Sequence, residues 1–296
     1  MRSLLFVPGD SARKLEKAMQ AGADALIIDL EDSVALGEKD RARTITAAFM
    51  ADVVGLPGRP RLFVRVNGLT TGLTDQDLDG VMAAQPDGIV LPKTLGGIDV
   101  SHLGAKLAVR EAEFGLEDGA TRILAIATET ARGVFALGTL AGASQRLSAI
   151  AWGGEDLSAD VGAETNRAAD GSYTDPYRMA RSMTLFAAAA AEVDAVDSVF
   201  TNFRNLEGLA EECTQGRRDG FVAKMAIHPA QVPVINEAFT PSAEALAQAR
   251  DIVAAFARDP KAGVVGLNGE MVDQPHLKRA ERLLARSGRN AHPERA

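Results

Sequence analysis

Two acidic side chains follow neighbouring apolar runs that we predict to be strands, so both are placed to bind one metal ion. Glu129 comes after the fifth run and Asp156 after the sixth. Carboxylates at the ends of adjacent parallel strands lie at similar heights and can share one hard cation, with water and substrate oxygens as its other ligands. This pattern predicts a magnesium site. The alternative is that Thr130 and Asp156 only cap the helices that follow them.

An arginine and a pair of glycines offer hydrogen-bond donors beside that predicted metal site. Arg65 ends the third run, where its planar guanidinium could bind a substrate carboxylate or an enolate oxygen. Gly153 and Gly154 let the backbone approach a ligand closely and present its amide N–H groups. We therefore predict that Arg65, Gly153, Gly154 and the adjacent Glu155 bind the substrate.

Three carboxylates crowd into one short segment after the second run. Asp29, Glu31 and Asp32 lie within four residues, and they repel one another unless solvent, a cation or basic partners compensate. We treat Glu31 and Asp32 as candidate catalytic residues beside Arg65. Two alternatives stay open: Asp32 or Ser33 caps the following segment, or Arg65 forms a structural ion pair with Glu31 or Asp32.

Other side chains near predicted strand ends have less specific patterns. Lys93 could be a Schiff-base nucleophile, but a barrel with a metal site does not need one, so we favour an electrostatic role. His228 precedes a proline, which is more typical of a structural residue than of a general base. Arg13 and Lys14 lie near a predicted helix N-terminus, where anionic phosphates bind favourably. A solvated helix face is the alternative there.

The composition is that of an ordinary globular protein. The chain has 296 residues, of which 46% are hydrophobic and 24% charged. Its formal net charge of −8 disfavours nucleic acid and anionic membranes, so we expect neither as a partner. Cys213 is the only cysteine, which excludes an internal disulfide and a cysteine-based metal cluster. The apolar run at residues 4–7 is too short for a signal peptide, so we expect a cytoplasmic protein.

Short apolar runs alternate with alanine-rich helical stretches about eight times before residue 230. The runs are apolar almost throughout, which indicates burial on both faces and therefore a parallel sheet. We predict strands at residues 3–8, 25–30, 61–66, 88–92, 122–128, 147–152, 197–202 and 223–228. Eight such units predict an α/β fold, a TIM (β/α)₈ barrel with polar residues at the carboxyl ends of its strands. A doubly wound open sheet is the rival.

We place the catalytic barrel in residues 1–230 and a C-terminal helical extension in residues 231–296. The extension is predicted to contain two helices separated by a short extended piece, with a frayed end. These are a helix from Thr240-Pro241, the piece around Asn268-Gly269, a helix from about Gln274, and the tail at 288–296. Such an extension would cap its own site or pack on a neighbouring subunit.

Seven short motifs occur in an order typical of one enzyme family. They are RSLLFVPG at residues 2–9, DLEDSV at 29–34, RVN at 65–67, LPK at 91–93, ET at 129–130, GGEDL at 153–157 and IHP at 227–229. With them the chain resembles the citrate lyase β-subunit family of the HpcH/HpaI aldolase superfamily. The resemblance covers essentially the whole chain, including GEMVDQP at 269–275.

The resemblance implies several properties of the site. The barrel would form trimers or hexamers, magnesium would be held by Glu129 and Asp156, and Arg65 would face the substrate carbonyl. Coenzyme A would enter near Arg13 and Lys14.

The resemblance also implies a role for the C-terminal extension. In malyl-CoA lyase-like members an acid of the extension reaches a neighbour's site as the general base, and Asp273 is the matching residue. From its position before Gln274, Asp273 is equally a candidate N-cap of the final helix.

We therefore expect a magnesium-dependent carbon–carbon lyase that acts on a small-molecule substrate. It would reversibly cleave a malyl-CoA, citramalyl-CoA or citryl-CoA type thioester to acetyl-CoA and a 2-oxoacid. The rivals are a citrate lyase complex subunit acting on a carrier-protein thioester, and a malyl-CoA thioesterase or malate synthase-like enzyme that releases free malate. A catalytically idle barrel that serves as an assembly partner is the alternative outside the enzyme class.

Overall fold

Eight parallel strands form one closed barrel in the computed structural model, which describes residues 1–290. The strands are β1 (Ser3–Pro8), β2 (Ala25–Asp29), β3 (Arg61–Arg65), β4 (Gly88–Leu91), β5 (Arg122–Ile126), β6 (Leu147–Ala151), β7 (Asp194–Asp197) and β8 (Ala223–Ala226). They pair in sequence order, and β8 closes on β1. The predicted TIM barrel is confirmed, and the open sheet is wrong.

Helices follow the strands and pack around the outside of the barrel. They are α1 (Ala12–Ala18), α2 (Lys39–Val53), α3 (Thr74–Val81), α4 (Gly97–Glu113), α5 (Ala131–Ala136), α6 (Gly154–Asp160), α7 (Asp175–Ala190), α8 (Leu206–Asp219) and α9 (Gln231–Phe239). Among the described helices, none is long and apolar enough to cross a membrane.

Alternate residues of each strand fill two separate apolar cores. Side chains such as Ile27, Phe63 and Leu124 point inward and fill the barrel, whereas their neighbours Ile28 and Leu62 pack against the helices. Both faces of each strand are therefore buried, which is why the runs are apolar almost throughout. By the same alternation, inward-facing residues at the strand ends meet at one mouth of the barrel.

The predicted position of the seventh strand, residues 197–202, is wrong. The strand is Asp194–Asp197, and Asp194 lies opposite Ala149 of β6 while Asp197 lies opposite Lys224 of β8. The apolar pair Val199 and Phe200, within the predicted range, follows the strand. Phe200 is buried in the apolar core between the strands and the surrounding helices. Its burial therefore does not come from strand pairing.

Residue 230, the predicted boundary between barrel and extension, is followed by one more helix that packs on the barrel. Residues 231–239 form α9, which packs against α8, β8 and β1. Val232, Ile235 and Phe239 are buried, and Asn236 accepts a 2.7 Å hydrogen bond from Ser3 of β1. The barrel therefore includes residues up to Phe239.

The C-terminal extension is a small unit with its own core. It consists of α10 (Ala243–Arg258), the hairpin strands β9 (Val264–Leu267) and β10 (Glu270–Asp273), and α11 (Gln274–Asn290). Ala249, Ile252, Phe256, Val272 and Ala280 form its core. Asn268 and Gly269 make the hairpin turn with positive φ of 51° and 83°, as Asn-Gly turns do.

Two details of the extension differ from the prediction. Helix α10 begins after Ser242, whose hydroxyl accepts a hydrogen bond from the Ala245 amide, rather than at Thr240. The predicted tail begins at residue 288, whereas α11 continues to Asn290. Residues 291–296 lie outside the described part of the chain.

Candidate active site

A cavity of about 430 Å³ opens at the carboxyl ends of the strands. Carboxylates dominate its polar lining, and hydrophobic side chains from or just after β1, β5, β7 and β8 complete it. The carboxylates are Asp29, Asp32, Glu129, Glu155 and Asp156, and the hydrophobic lining includes Phe6, Ile126, Val199 and Met225. This is the mouth where TIM barrels place their chemistry.

Arg65 is fixed in this cavity by Asp29. Its Nε and Nη2 donate to the two carboxylate oxygens of Asp29, each at 2.7 Å, and its Nη1 lies 2.9 Å from Glu31 Oε2. The guanidinium also lies over the Phe6 ring, 4.8 Å from its centre. The predicted ion pair with Glu31 is present, but the bidentate partner is Asp29, to which the sequence analysis assigned no role.

Asp29 also organises the acidic segment that follows β2. Its carboxylate accepts hydrogen bonds from the amides of Glu31 at 2.9 Å and Ser33 at 3.0 Å. Although burial opposes its ionisation, the hydrogen bonds from Arg65 and these amides hold the pKa of Asp29 below its usual value. Asp29 is therefore the carboxylate that accepts hydrogen bonds from the backbone of this segment. The capping alternative assigns that role to Asp32.

Two further side chains donate hydrogen bonds to the backbone of the acidic segment that follows β2. Lys39 is buried, and its Nζ donates to the carbonyls of Leu30 and Glu31 at 2.7 Å each. Asn67 donates to the Leu30 carbonyl at 3.0 Å. Because both contacts are to backbone oxygens, no pattern in the sequence identifies them.

Lys93 lies among carboxylates at the rim of the cavity. Its Nζ forms ion pairs with Glu31, with Asp32 at 3.1 Å and with Asp156 at 3.4 Å. Burial lowers its pKa, but these carboxylates outweigh that effect and raise the pKa of Lys93 above its usual value. An ammonium held in this way is protonated at neutral pH, which agrees with an electrostatic role and not with a Schiff-base nucleophile.

Glu129 and Asp156 approach the cavity from β5 and β6, as predicted. Glu129 is 3% exposed, and its carboxylate accepts the backbone N–H of Lys93. Burial, and then the charge of Asp156, raises the pKa of Glu129 to about 8. The two carboxylates are thus close enough to repel each other, and a divalent cation between them would remove that repulsion.

The donor set fits magnesium. Within residues 1–290, no three His, Cys, Asp or Glu side chains converge on a common metal position. The protein would therefore supply the two carboxylates of Glu129 and Asp156, and the open cavity leaves the other positions to water and substrate. Magnesium commonly binds through one or two carboxylates and keeps several waters.

Gly153 makes room for Glu129. A β-carbon at Gly153 would lie 2.5 Å from Glu129 Cγ. The Gly153 amide donates to Thr128 Oγ1 at 3.2 Å, and Gly153 lines the cavity. Gly154 also lines the cavity, and Glu155 beside it accepts a 2.8 Å hydrogen bond from Asn166.

The helix-capping alternative holds for one of its two residues. Thr130 accepts a hydrogen bond from the Gly133 amide and so caps α5. The residue before α6 is Gly153, so Asp156 lies in the first turn of that helix and not at its N-cap, and it lines the cavity.

A buried ionic cluster lies behind the end of β6. Asp197 accepts hydrogen bonds from Trp152 Nε1 at 2.6 Å, Arg181 Nη2 at 3.0 Å and Lys224 Nζ at 3.3 Å. Burial opposes ionisation, but Lys224 and Arg181 lower the pKa of Asp197 to about 2. Trp152 directly precedes the glycine pair, so this cluster anchors the backbone that carries Asp156.

Glu31 and Lys93 contact the lining residues Arg65 and Asp32 without lining the cavity themselves. Four other residues considered from the sequence lie away from the cavity. Arg13 and Lys14 are exposed on α1. His228 is exposed and stacks on Phe203, with 4.8 Å between ring centres. Asp273 ends β10, where a hydrogen bond from His276 lowers its pKa.

Nearly the whole chain is similar to known proteins. Residues 2–229 match the family described as HpcH/HpaI aldolase/citrate lyase. The chain is 35% identical over 291 residues to citrate lyase subunit beta of Leuconostoc mesenteroides subsp. cremoris, covering 98% of this chain and 94% of that protein. It is 30% identical to the mitochondrial citramalyl-CoA lyase of Rattus norvegicus, covering 96% and 85% of the two chains.

A solved structure has the same architecture. The protein CitE of Mycobacterium tuberculosis, crystallised in complex with magnesium, acetoacetate and coenzyme A, matches with a TM-score of 0.74. The two chains are 35% identical, and the match covers 97% of this chain and 98% of that one.

Proposed function

Because the chain belongs to the HpcH/HpaI aldolase/citrate lyase family, we propose that it cleaves a 3-hydroxyacyl-CoA thioester reversibly to acetyl-CoA and a 2-oxoacid. The expected carbon–carbon lyase class is confirmed by that membership. The observation that carries the proposal is the convergence of Arg65, Glu129 and Asp156 on one cavity at the barrel mouth.

Glu129 and Asp156 are the proposed ligands of magnesium. When bound, the ion would act as a Lewis acid toward the oxoacid and orient it. Lys93 helps to position the carboxylates of Glu129 and Asp156. Its backbone N–H donates a hydrogen bond to Glu129, and its ammonium contacts Asp156. A relative of this chain was crystallised with magnesium, acetoacetate and coenzyme A. This supports the proposal that magnesium binds in this chain too.

Arg65 is the proposed stabiliser of negative charge on the thioester enolate. Asp29 fixes its orientation through two hydrogen bonds, so little reorganisation is needed when charge develops. Glu31 and Asp32 contact Arg65 and Lys93 and complete the charge network. Gly154 and Glu155 line the same cavity and are proposed to contact the substrate.

The general base is proposed to come from a second copy of the chain in a homo-oligomer. Asp273 does not line the cavity of its own chain, and the extension that carries it has a separate core. The extension is therefore free to pack on a neighbouring subunit and to present Asp273 there. Coenzyme A is proposed to lie along α1 near Arg13 and Lys14, because Val7 and Pro8 just before that helix line the cavity.

The test is a condensation assay with magnesium, acetyl-CoA and either glyoxylate or pyruvate, analysed by mass spectrometry. A condensed thioester supports the proposal, and Glu129→Gln should abolish its formation. Release of free malate or citramalate would instead indicate the thioesterase or synthase activity. Cleavage only of a carrier-protein thioester would indicate a citrate lyase subunit, and no reaction in any of these assays would overturn the lyase proposal.

A further inference from the structure

The outward face of α7 is hydrophobic. On the inner side of this helix Tyr177, Ala180 and Thr184 are buried against the barrel. On the outer side Met179 and Phe186 are 57% and 72% exposed. A helix on the surface of a globular protein usually turns polar side chains toward water, so packing within the described chain does not account for this face.

The outward apolar residues of α7 follow the spacing of a helix–helix contact. Met179, Met183, Phe186 and Ala190 are separated by four, three and four residues, which places them along one side of the helix. Met183 is partly buried, and the other three are exposed. We call these four residues the α7 stripe. A stripe with this spacing can pack against a second helix.

Charged side chains are missing from most of this face. The ten residues 182–191 are all uncharged, whereas α8, the next helix along the chain, exposes Glu207, Glu211, Arg217 and Arg218. Depletion of charge, together with methionine and phenylalanine, is typical of the central part of a protein–protein interface. An exposed hydrophobic patch of this kind indicates a binding surface.

The two ends of the α7 stripe carry opposite charges. Arg178 precedes Met179 at one end, and the exposed Glu192 follows Ala190 by two residues at the other. Arg178 contacts Asp175 of its own helix but is 61% exposed, so some of its five donors remain for a partner. Two α7 helices packed antiparallel would place Arg178 of each copy beside Glu192 of the other.

The same antiparallel register makes the α7 stripe complementary to itself. It places Met179 of one copy against Ala190 of the other, so a large side chain meets a small one. It also places Met183 against Phe186, an aromatic ring beside a flexible thioether. A surface that fits a second copy of itself is what a twofold interface requires.

Glu192 occupies a backbone position where glycine is the usual residue. Its φ is 56°, and the amides of Glu192 and Val193 end the helix by donating to the carbonyls of Ala189 and Ala188. Glycine is common at this left-handed position after a helix because it has no β-carbon. A glutamate there is accounted for if its carboxylate contacts a partner.

From these observations we infer that α7 binds the α7 helix of a second copy of this chain, packed antiparallel across a twofold axis. This contact is separate from the proposed packing of the C-terminal extension on a neighbouring subunit. It does not depend on the proposed lyase function, because its test measures mass and not turnover. A twofold contact joins copies in pairs, so the assembly contains an even number of chains.

The first test is the mass of the full-length protein, measured by sedimentation velocity over a range of concentrations. We expect an even-numbered assembly for the wild type. Phe186→Glu should raise the dissociation constant of the twofold contact by about 30-fold or more and halve the mass, even where the extension also joins copies. Leu56→Glu, at a position 50% exposed just after α2, is the matched control and should leave the mass unchanged. A monomeric or odd-numbered wild type, an unchanged mass of Phe186→Glu, or the same loss in both variants would overturn the inference.

A charge exchange tests the antiparallel arrangement without changing Phe186. Arg178→Glu should weaken the association by about fivefold, and adding Glu192→Arg should restore it. The two residues are about 20 Å apart along one helix, so restoration requires contact between copies. Both positions are exposed, and thermal unfolding of each variant verifies that the fold is retained. Failure of the double variant to regain the association would overturn the inference.

Discussion

Asp29 and Arg65 lie directly opposite each other in the register of β2 and β3, and their side chains form a buried bidentate ion pair. Their side chains are 2% and 11% exposed. Because both residues are fixed to neighbouring strands, the barrel itself sets the direction of the guanidinium. Arg65 is therefore oriented before any ligand binds, as electrostatic stabilisation requires.

Asp29→Asn should impair catalysis more than the same aspartate-to-asparagine substitution at a site far from the cavity. The amide retains at most one of the two hydrogen bonds from Arg65 and loses the charge. We expect kcat/KM to fall about 100-fold, as when one preorganised contact is lost. We also expect the free energy of unfolding to fall by about 3 kcal/mol, since one partner of a buried ion pair is removed.

Asp24→Asn is the matched control for that variant. Asp24 forms a partly buried ion pair with Arg2 just before the first two strands, at the opposite end of the barrel. We expect a loss of stability with kcat/KM unchanged. Full activity of Asp29→Asn would contradict the role given to Arg65.

Gly153→Ala should displace Glu129. The added β-carbon would lie 2.5 Å from Glu129 Cγ, so the carboxylate must move. We expect a higher magnesium concentration for half-maximal activity, measured by titrating the metal in the condensation assay. Gly138→Ala is the control because a β-carbon there meets nothing within 4 Å. The same magnesium requirement in both variants would contradict the position assigned to Glu129.

Lys93 should form no covalent adduct with substrate. Three carboxylates surround its ammonium and raise its pKa, so the neutral amine that a Schiff base needs is scarce. We expect no mass increase on Lys93 after borohydride treatment with pyruvate. Lys93→Arg should retain more activity than Lys93→Met, and a reduced pyruvate adduct on Lys93 would show that the electrostatic assignment is wrong.

The Asp197 cluster should contribute to stability in a pH-dependent way. Asp197 has a pKa of about 2 when folded against 3.8 as its ordinary value, so folding favours its ionised form. The contribution, about 2 kcal/mol, is present above pH 3.8 and is lost as the pH falls through about 2. The difference in unfolding free energy between wild type and Asp197→Asn should therefore be constant near neutrality and shrink below about pH 4. A difference that stays constant down to pH 2 would contradict this assignment.

The barrel and part of its site could be predicted because both depend on local patterns. Runs such as 25–28 are apolar on both faces, which requires a parallel sheet covered by helices. Once the strands are placed, Arg65, Glu129 and Asp156 must lie at one mouth of the barrel. Their shared cavity follows from the topology and not from any contact visible in the sequence.

The remaining features depend on pairing between distant residues. The predicted seventh strand begins at Asp197, whereas β7 ends there. The compensation of that buried carboxylate by Lys224 and Arg181 appears only in three dimensions. Asp29 was indistinguishable from the acids that follow it until the β2 and β3 register placed Arg65 opposite. Asp273 lies in a separate unit, so its relation to a site depends on assembly rather than on the fold of one chain.

We propose that Glu129 and Asp156 together hold one divalent cation. The most direct measurement is calorimetric titration of magnesium into the wild type, Glu129→Gln and Asp156→Asn, with Asp170→Asn in an exposed loop as the charge control. We expect one magnesium per chain in the wild type and in the control. Each of the other two variants should bind it more than about 100-fold more weakly, because even changes beyond the ligands themselves cost 10- to 100-fold. Unchanged magnesium affinity in Glu129→Gln and Asp156→Asn would contradict the account.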